Sequence, residues 1–217
     1  MDTVSIIAAG LGAAWASGIN LYAAVLMLGL MGVTGSVDLP PELETLENPL
    51  VLAAAGFMYC VEFFTDKIPG VDTLWDAVHS FIRIPAGALL TGAAFAQISP
   101  EAELAGLLLG GTLSAGTHFT KAGSRVLINT SPEPVTNWTA SIGEDLTVFA
   151  GLWTALNYPL LFIALLVVFV ALAIWLMPKL WRGIKTIFTR IRGWFSGSRS
   201  GSAGHSTNDN RESKKLE

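Results

Sequence analysis

The side chains with types and spacing suited to chemistry fall into three groups. Glu144 and Asp145 are adjacent acids inside an apolar stretch. On a helix, neighbours point about 100° apart. Two carboxylates in one apolar place repel unless one takes a proton or a cation lies between them. The pair reads as a proton or cation site; the other reading is a tilted or late-starting span that leaves both acids at a polar rim. Asn20 and His118 each close a run of small residues, just after Gly18 and Gly116. Where a helix is interrupted at such a place, freed backbone N–H and C=O groups become ligands if they line a cavity; the plainer reading is close helix packing through glycine. Finally Asp72, Asp76, His79 and Arg83 recur at i, i+4, i+7 and i+11 and share one helical face. Two acids and a histidine there suit a divalent cation, with Asp72, Asp76 and His79 as metal ligands. The alternative is an interfacial helix with paired charges and a solvated stripe. Glu62 is placed near the end of an apolar stretch, with Lys67 or Arg83 as its partner.

The elements that must position these groups are set by composition. The chain has 217 residues, 52% hydrophobic and 14% charged, with a net charge of −4, and its mean hydropathy is +0.54. A soluble domain carries about 25% charged residues. So little charge excludes disorder, a nucleic-acid binder and an ordinary soluble enzyme, and leaves an all-α polytopic membrane protein. The single cysteine, Cys60, excludes an internal disulfide and a thiolate metal cluster. The start lacks the basic region of a cleaved signal, so the first segment is expected to stay in the membrane. No Gly-rich phosphate loop, nucleophile elbow, HExxH or CxxC occurs.

A membrane helix needs about 20 largely apolar residues. Six stretches qualify: 4–33, interrupted at Ser17–Asn20; 49–64; 84–98; 104 to about 117; 135–156; and 158–177, the one unbroken lipid-facing span. Lys and Arg collect on the cytoplasmic side of bacterial inner-membrane proteins. The basic tail after Met177 is therefore placed inside, and six spans put the N-terminus inside as well. All 13 Lys and Arg then fall on the cytoplasmic side. The expected domain plan is a transmembrane bundle over 1–178, a basic amphipathic helix over 179–195 on anionic lipid, and a disordered tail over 196–217. The prolines at 132 and 134 read as a rigid lead-in to the fifth span.

GAAWASGIN at 12–20 lies without a gap over GGTLSAGTH at 110–118, and each is followed by a segment bearing a membrane-depth acid. The halves 1–98 and 99–178, three elements each, then run oppositely, as in transporters built from inverted repeats with broken first helices. Should the first element dip in and return, that parity and the repeat fall together.

DKIPGVDTLWDAVHSFIR at 66–83, followed by PAGA at 85–88, resembles the signature of an uncharacterised bacterial integral-membrane family. SGINLY at 17–22, SPEP at 131–134 and GED at 143–145 are similar to its other motifs. The likeness covers about residues 3–177. It implies a membrane protein and supplies no activity and no catalytic residue.

The leading expectation is a transporter or channel-like carrier of a small solute or ion, not an enzyme. Glu144 and Asp145 are its ion site, supported by Glu62, with Gly18, Asn20, Gly116 and His118 as lining. A non-transporting membrane scaffold or assembly factor is the second reading, and a metal-dependent enzyme acting on lipid headgroups the third. Expected partners are the bilayer, anionic lipid and the solute, with no nucleic acid and with association of copies left open. No cofactor is expected beyond a divalent cation at the Asp/His face.

Overall fold

The computed structural model describes residues 2–68, 70–129 and 134–197, and these are helical almost throughout. Six α-helices follow in order: α1 Thr3–Val33, α2 Pro49–Thr65, α3 Val71–Ala96, α4 Pro100–Ile128, α5 Pro134–Asn157 and α6 Pro159–Gly197, with a short 3-10 helix, Pro41–Glu47, before α2. Their ends follow capping chemistry. The Asp2 side chain accepts from Ser5 N at 2.8 Å, Asn48 from Leu50 N at 2.9 Å and Ser99 from Ala102 N at 3.1 Å. Each satisfies one of the donors that a helix start leaves over. Proline opens α2, α4, α5 and α6, where its missing N–H costs nothing. Gly70, at φ +85°, supplies the left-handed residue that turns the chain into α3.

Three helices are long and apolar enough to cross a membrane, and a fourth span arises if the 3-10 helix and α2, bent by 65°, count as one. The protein is a membrane protein, and its surface carries the signature. Leu74, Val78 and Phe81 of α3 are exposed, Phe81 by 84%, while Asp72, Asp76, His79 and Arg83 of the same helix are buried. A water-soluble helix does the opposite. The shared face foreseen for these four residues is real, but it is turned inward and is not a solvated stripe. α6 is the most lipid-facing element: only 11% of its apolar window is buried.

α1 is the central element. Ala8, Ala13, Ala14, Ala16, Ser17, Gly18 and Ala23 are buried, so neighbouring backbones approach closely. Along α1, Gly10 faces Ala94 and Phe95, and Gly18 faces Ser114, Thr117 and His118. Ser17 Oγ donates to Arg83 O at 2.9 Å. Moving up α1 therefore moves down α3 and up α4: α1 is antiparallel to α3 and parallel to α4. Gly12 meets Ala155, Gly151 meets Trp15, and Asn20 meets Asp145, so α5 also runs against α1. Gly12 touches Phe162, and Gly123 touches Leu180, so α6 runs with α1 and α4.

These directions correct the sequence-based plan. Six alternating crossings require α1 and α3 to run the same way, and they run oppositely. The C-terminal end of α1 and the N-terminal end of α3 share one end of the bundle, so the 3-10 helix and α2 start and finish at that end. An inverted repeat needs α1 and α4 to oppose each other; they are parallel and packed together. Nor are both first helices broken. α1 has one non-helical residue, Asn20 (φ −148°, ψ 98°), whereas α4 runs unbroken through Gly116 and His118. The third and fourth spans are longer than expected because their polar extensions are buried and remain helical: α3 passes through Pro85, and α4 passes through Lys121 and Arg125. α6 continues past Met177 through Pro178 into the basic segment, as foreseen. The tail at 198–217 and the lead-in residues 131–133 lie outside the described residues.

Candidate functional site

Four helices, α2 to α5, contribute polar residues to one place by the same device, a stripe at helical spacing. Glu62 and Asp66 come from the end of α2, Asp72, Asp76 and Arg83 from α3, and Lys121 and Arg125 from α4. Asn137 and Glu144 come from α5. They meet in the half of the bundle nearer the start of α3. Arg83 is 13 residues short of Ala96 at the far end of α3, about 20 Å along the axis.

Arg83 is wholly buried and donates from Nη2 to Glu62 Oε1 at 2.6 Å and from Nη1 to Asp76 Oδ1 at 2.7 Å. Arg125 forks onto Glu144, Nε to Oε1 at 3.0 Å and Nη2 to Oε2 at 2.7 Å. This is the bidentate match that guanidinium offers a carboxylate. Its Nη1 donates to Asn137 Oδ1 at 2.5 Å and to Asp66 O at 3.2 Å. Lys121 lies at the centre. Its Nζ donates to Ile19 O at 2.9 Å and to Asp66 Oδ2 at 3.1 Å. It also lies 3.4 Å from Glu144 Oε2 and 3.7 Å from both Glu62 Oε1 and Asp76 Oδ1.

The kink in α1 serves this centre. In a regular helix Ala23 N would bond Ile19 O. Here Ala23 N donates to the Asn20 side chain at 2.9 Å, and Ile19 O turns to Lys121 instead. The interruption foreseen at Asn20 thus frees one backbone carbonyl. Asn20 Nδ2 also donates to Asp145 Oδ1 at 3.1 Å, and Tyr59 OH donates to Asp145 Oδ2 at 3.4 Å.

Three oxygens in the network, Glu62 Oε2, Asp66 Oδ1 and Asp76 Oδ2, are buried with no hydrogen-bond partner. Five carboxylates (Glu62, Asp66, Asp72, Asp76, Glu144) share ion pairs with three cations (Arg83, Lys121, Arg125), which leaves two negative charges in excess when all are ionised. Buried carboxylates without partners are costly.

The structure places the expected residues as follows. Glu144 and Asp145 diverge, as adjacent helical positions must: Glu144 joins Arg125 and Lys121, and Asp145 joins Asn20 and Tyr59. Glu62 pairs with Arg83. Lys67 instead donates to Phe63 O at 2.9 Å and sits over the Phe63 ring. His118 is buried between Ser80 Oγ, 2.6 Å from Nε2, and Arg83 Nη1, 3.5 Å from Nδ1. Gly18 is the close-approach point between α1 and α4, whereas Gly116 faces open space and only accepts from Thr120 Oγ1 through its carbonyl. The divalent set does not assemble. Asp76 is turned to Arg83, Asp72 to Asn129 Nδ2 at 2.8 and 2.9 Å, and His79 Nδ1 lies 2.9 Å from Trp75 O. Among the described residues no three His, Cys, Asp or Glu side chains converge on a metal position. The N-cap of α3 is Gly70, and Asp72 follows it inside the first turn, accepting from Gly70 N and Thr73 N.

Sequence reasoning missed Asp66, Lys121, Arg125 and Asn137. The signal was present: Ser114, His118, Lys121 and Arg125 continue at spacings of four, three and four on one face, and Glu62 and Asp66 at four. The apolar stretch ends at about 117, so Lys121 and Arg125 fall beyond it in the sequence.

The family model of a domain of unknown function, DUF4126, matches residues 7–179. The chain belongs to that family. The match spans all six helices of this DUF4126 chain up to the start of the basic segment, so every residue of the charged network lies within it. No curated protein and no solved structure matches the chain.

Proposed function

We infer that the protein is a carrier or channel for a small ion, in which the buried charged network is the ion site. The observation that carries this reading is the excess of acid in that network together with its three unpartnered carboxylate oxygens. Ionisable residues inside a membrane bundle mark ion and proton paths by default. Irregular backbone at that depth is tolerated where it is enclosed by protein or lines a cavity, and Ile19 O is such a group.

The helix directions support five crossings, α1, α3, α4, α5 and α6, with the 3-10 helix and α2 as a re-entrant segment whose end delivers Glu62 and Asp66. The basic segment after Met177 supports a reading in which the network end faces the cytoplasm from a bacterial inner membrane. The N-terminus then lies outside and the acidic loop 34–48 inside. Neither carries Lys or Arg, so all 13 still fall on the cytoplasmic side. Charge bias alone is blind to the difference between five and six crossings.

Two experiments test these statements. Reporter fusions at the two termini read the parity: opposite sides are expected, and the same side overturns the re-entrant assignment. Purified protein in liposomes loaded with pH- or sodium-sensitive dye reads the activity. Ion flux that falls at least tenfold in Glu144→Gln is expected. Flux absent in the wild type, or unchanged in the variant, ends the carrier reading and leaves the membrane scaffold in its place.

A further inference from the structure

A cavity of 480 Å³ lies between α5 and α6, floored by Trp15 of α1 and walled by Leu146, Ala150 and Thr154 of α5 and by Phe162 and Leu166 of α6. Pockets for small ligands hold about 300–1,000 Å³. One aromatic group keeps the walls apart. Trp15 meets Phe162 and Phe169 edge-on, with ring centroids 6.1 and 6.0 Å away, and its ring fills the place where a Cβ of Gly151 would lie. Nothing in the cavity suits water. The hydroxyls of Thr147 and Thr154, which line it, are spent within α5, donating to Gly143 O at 2.6 Å and to Ala150 O at 2.7 Å. A buried water needs two to four polar partners, and a cavity without them stays dry.

We propose that this cavity holds one acyl chain of a zwitterionic phospholipid, whose headgroup lies at the turn between α5 and α6, in the leaflet opposite the charged network. The proposal goes beyond the carrier reading and does not rest on it. The cavity is continuous with the surface that meets the bilayer: Leu146 and Leu165 line it and are exposed, beside the exposed Leu161, Val168 and Leu172 of α6. Its length suits one leaflet. Phe162 to Phe169 rises about 10 Å and Leu146 to Thr154 about 12 Å, against about 15 Å for half of the hydrocarbon core. At the turn below it Trp153 and Tyr158 are exposed with ring centroids 5.4 Å apart, the aromatic pairing that marks headgroup level. Left empty, the cavity would deprive Trp15 and Phe162 of contact on one side. Charge selects the headgroup. Among the described residues at that end of the bundle Asp2, Glu101 and Glu103 are charged and none is Lys or Arg, so an ethanolamine ammonium is favoured over an anionic headgroup.

The test uses the full chain, extracted in mild detergent and read by native mass spectrometry. A phospholipid bound to each chain is expected, with phosphatidylethanolamine retained over phosphatidylglycerol when both are offered. Ala150→Phe fills the cavity and is expected to cut the lipid-bound fraction severalfold. Val167→Phe, on an exposed position of α6 that does not line the cavity, is expected to leave it unchanged. Lipid lost equally from both variants, or from neither, overturns the proposal, and so does preferred retention of phosphatidylglycerol. A second copy of the chain bound in place of lipid, and lost in Ala150→Phe, overturns it as well. Should Ala150→Phe not fold, the wild type supplies the reading. Stripped of lipid, it is expected to regain thermal stability with long-tailed phosphatidylethanolamine and not with a short-tailed lipid of the same headgroup. At a hundred times its Kd the long-tailed lipid raises the folded-to-unfolded ratio about a hundredfold. Equal recovery with both lipids, or recovery with neither, overturns the proposal.

Discussion

The two ends of one bundle are held together by opposite means. Toward the N-terminal end of α1, helices meet through missing side chains: Gly10 against Ala94 and Phe95, Gly12 against Ala155 and Phe162, and Gly106 and Gly110 against Thr91. Toward the other end the same helices meet through long charged side chains, with Arg83, Lys121 and Arg125 reaching between elements. In lipid there is no hydrophobic drive between helices, so the first end relies on contact area at short range. The second relies on buried charges that share partners in one network. The difference teaches that the first end should yield gradually to substitution and the second abruptly, since each cation serves two or more acids.

The largest effect is expected at Arg83. Arg83→Leu leaves Glu62 and Asp76 with Lys121 alone, 3.7 Å from each, and loss of one partner in a buried pair costs about 3–5 kcal/mol. Thermal unfolding in detergent should show it, and adding Glu62→Gln and Asp76→Asn to the same chain should restore much of the loss. A single variant as stable as the wild type would erase the contrast between the two ends. Next comes Gly18→Leu, where even a Cβ would press on the Ser114 carbonyl and on Thr117. Overpacking of this kind costs about 1–3 kcal/mol, with α1 and α4 forced apart. Thr91→Val removes hydroxyl bonds to Gly10 O and Gly87 O, both 2.9 Å, while keeping the shape. Interhelical bonds in membranes average about 0.6 kcal/mol, so a small drop in the melting midpoint is expected. A drop as large as that of Arg83→Leu would make the two ends alike.

The smallest effect concerns the cap of α1. Bonding to Ser5, first through the side chain, holds the Asp2 carboxyl below its ordinary value of 3.8. A lowered folded value means that the contribution is present above the unfolded value and is lost as pH falls through the folded one. Amide exchange in the first turn of α1 should therefore quicken only in strong acid, and Asp2→Ala should show the quick exchange at neutral pH.

Much of the fold was legible because lipid demands long apolar runs and proline and Asn/Ser caps mark their starts. The boundaries of α2, α5 and the apolar part of α6 follow from that alone. Direction was not legible. The N-terminus and the loop 34–48 lack Lys and Arg, so charge bias could not report that α1 and α3 run in opposite directions. At the site, Glu62 and Glu144 stand out because an acid in an apolar run is conspicuous, whereas Asp66, just past its run, does not. Lys121 and Arg125 were lost because a cation after an apolar run is read as its end. Only the fold shows that α4 continues through them and buries them against Glu144 and Asp66. The likeness between 12–20 and 110–118 is one of close packing against different neighbours: Gly12 meets α5 and α6, Gly18 meets α4, and Gly110 and Gly111 meet α3.

The spacing of the network along the chain has a consequence for biogenesis. Glu62 and Arg83 are 21 residues apart, but Asp66 waits for Lys121, 55 residues later, and Asn20 for Asp145, 125 residues later. During synthesis the first three helices leave the ribosome with charges whose partners do not yet exist. They must linger near the translocation channel or in a hydrated groove until α4 and α5 arrive. Completion of α5 is thus the event that seals the bundle, and a nascent chain released before Asp145 is expected to present uncovered intramembrane charge, which quality-control proteases can recognise.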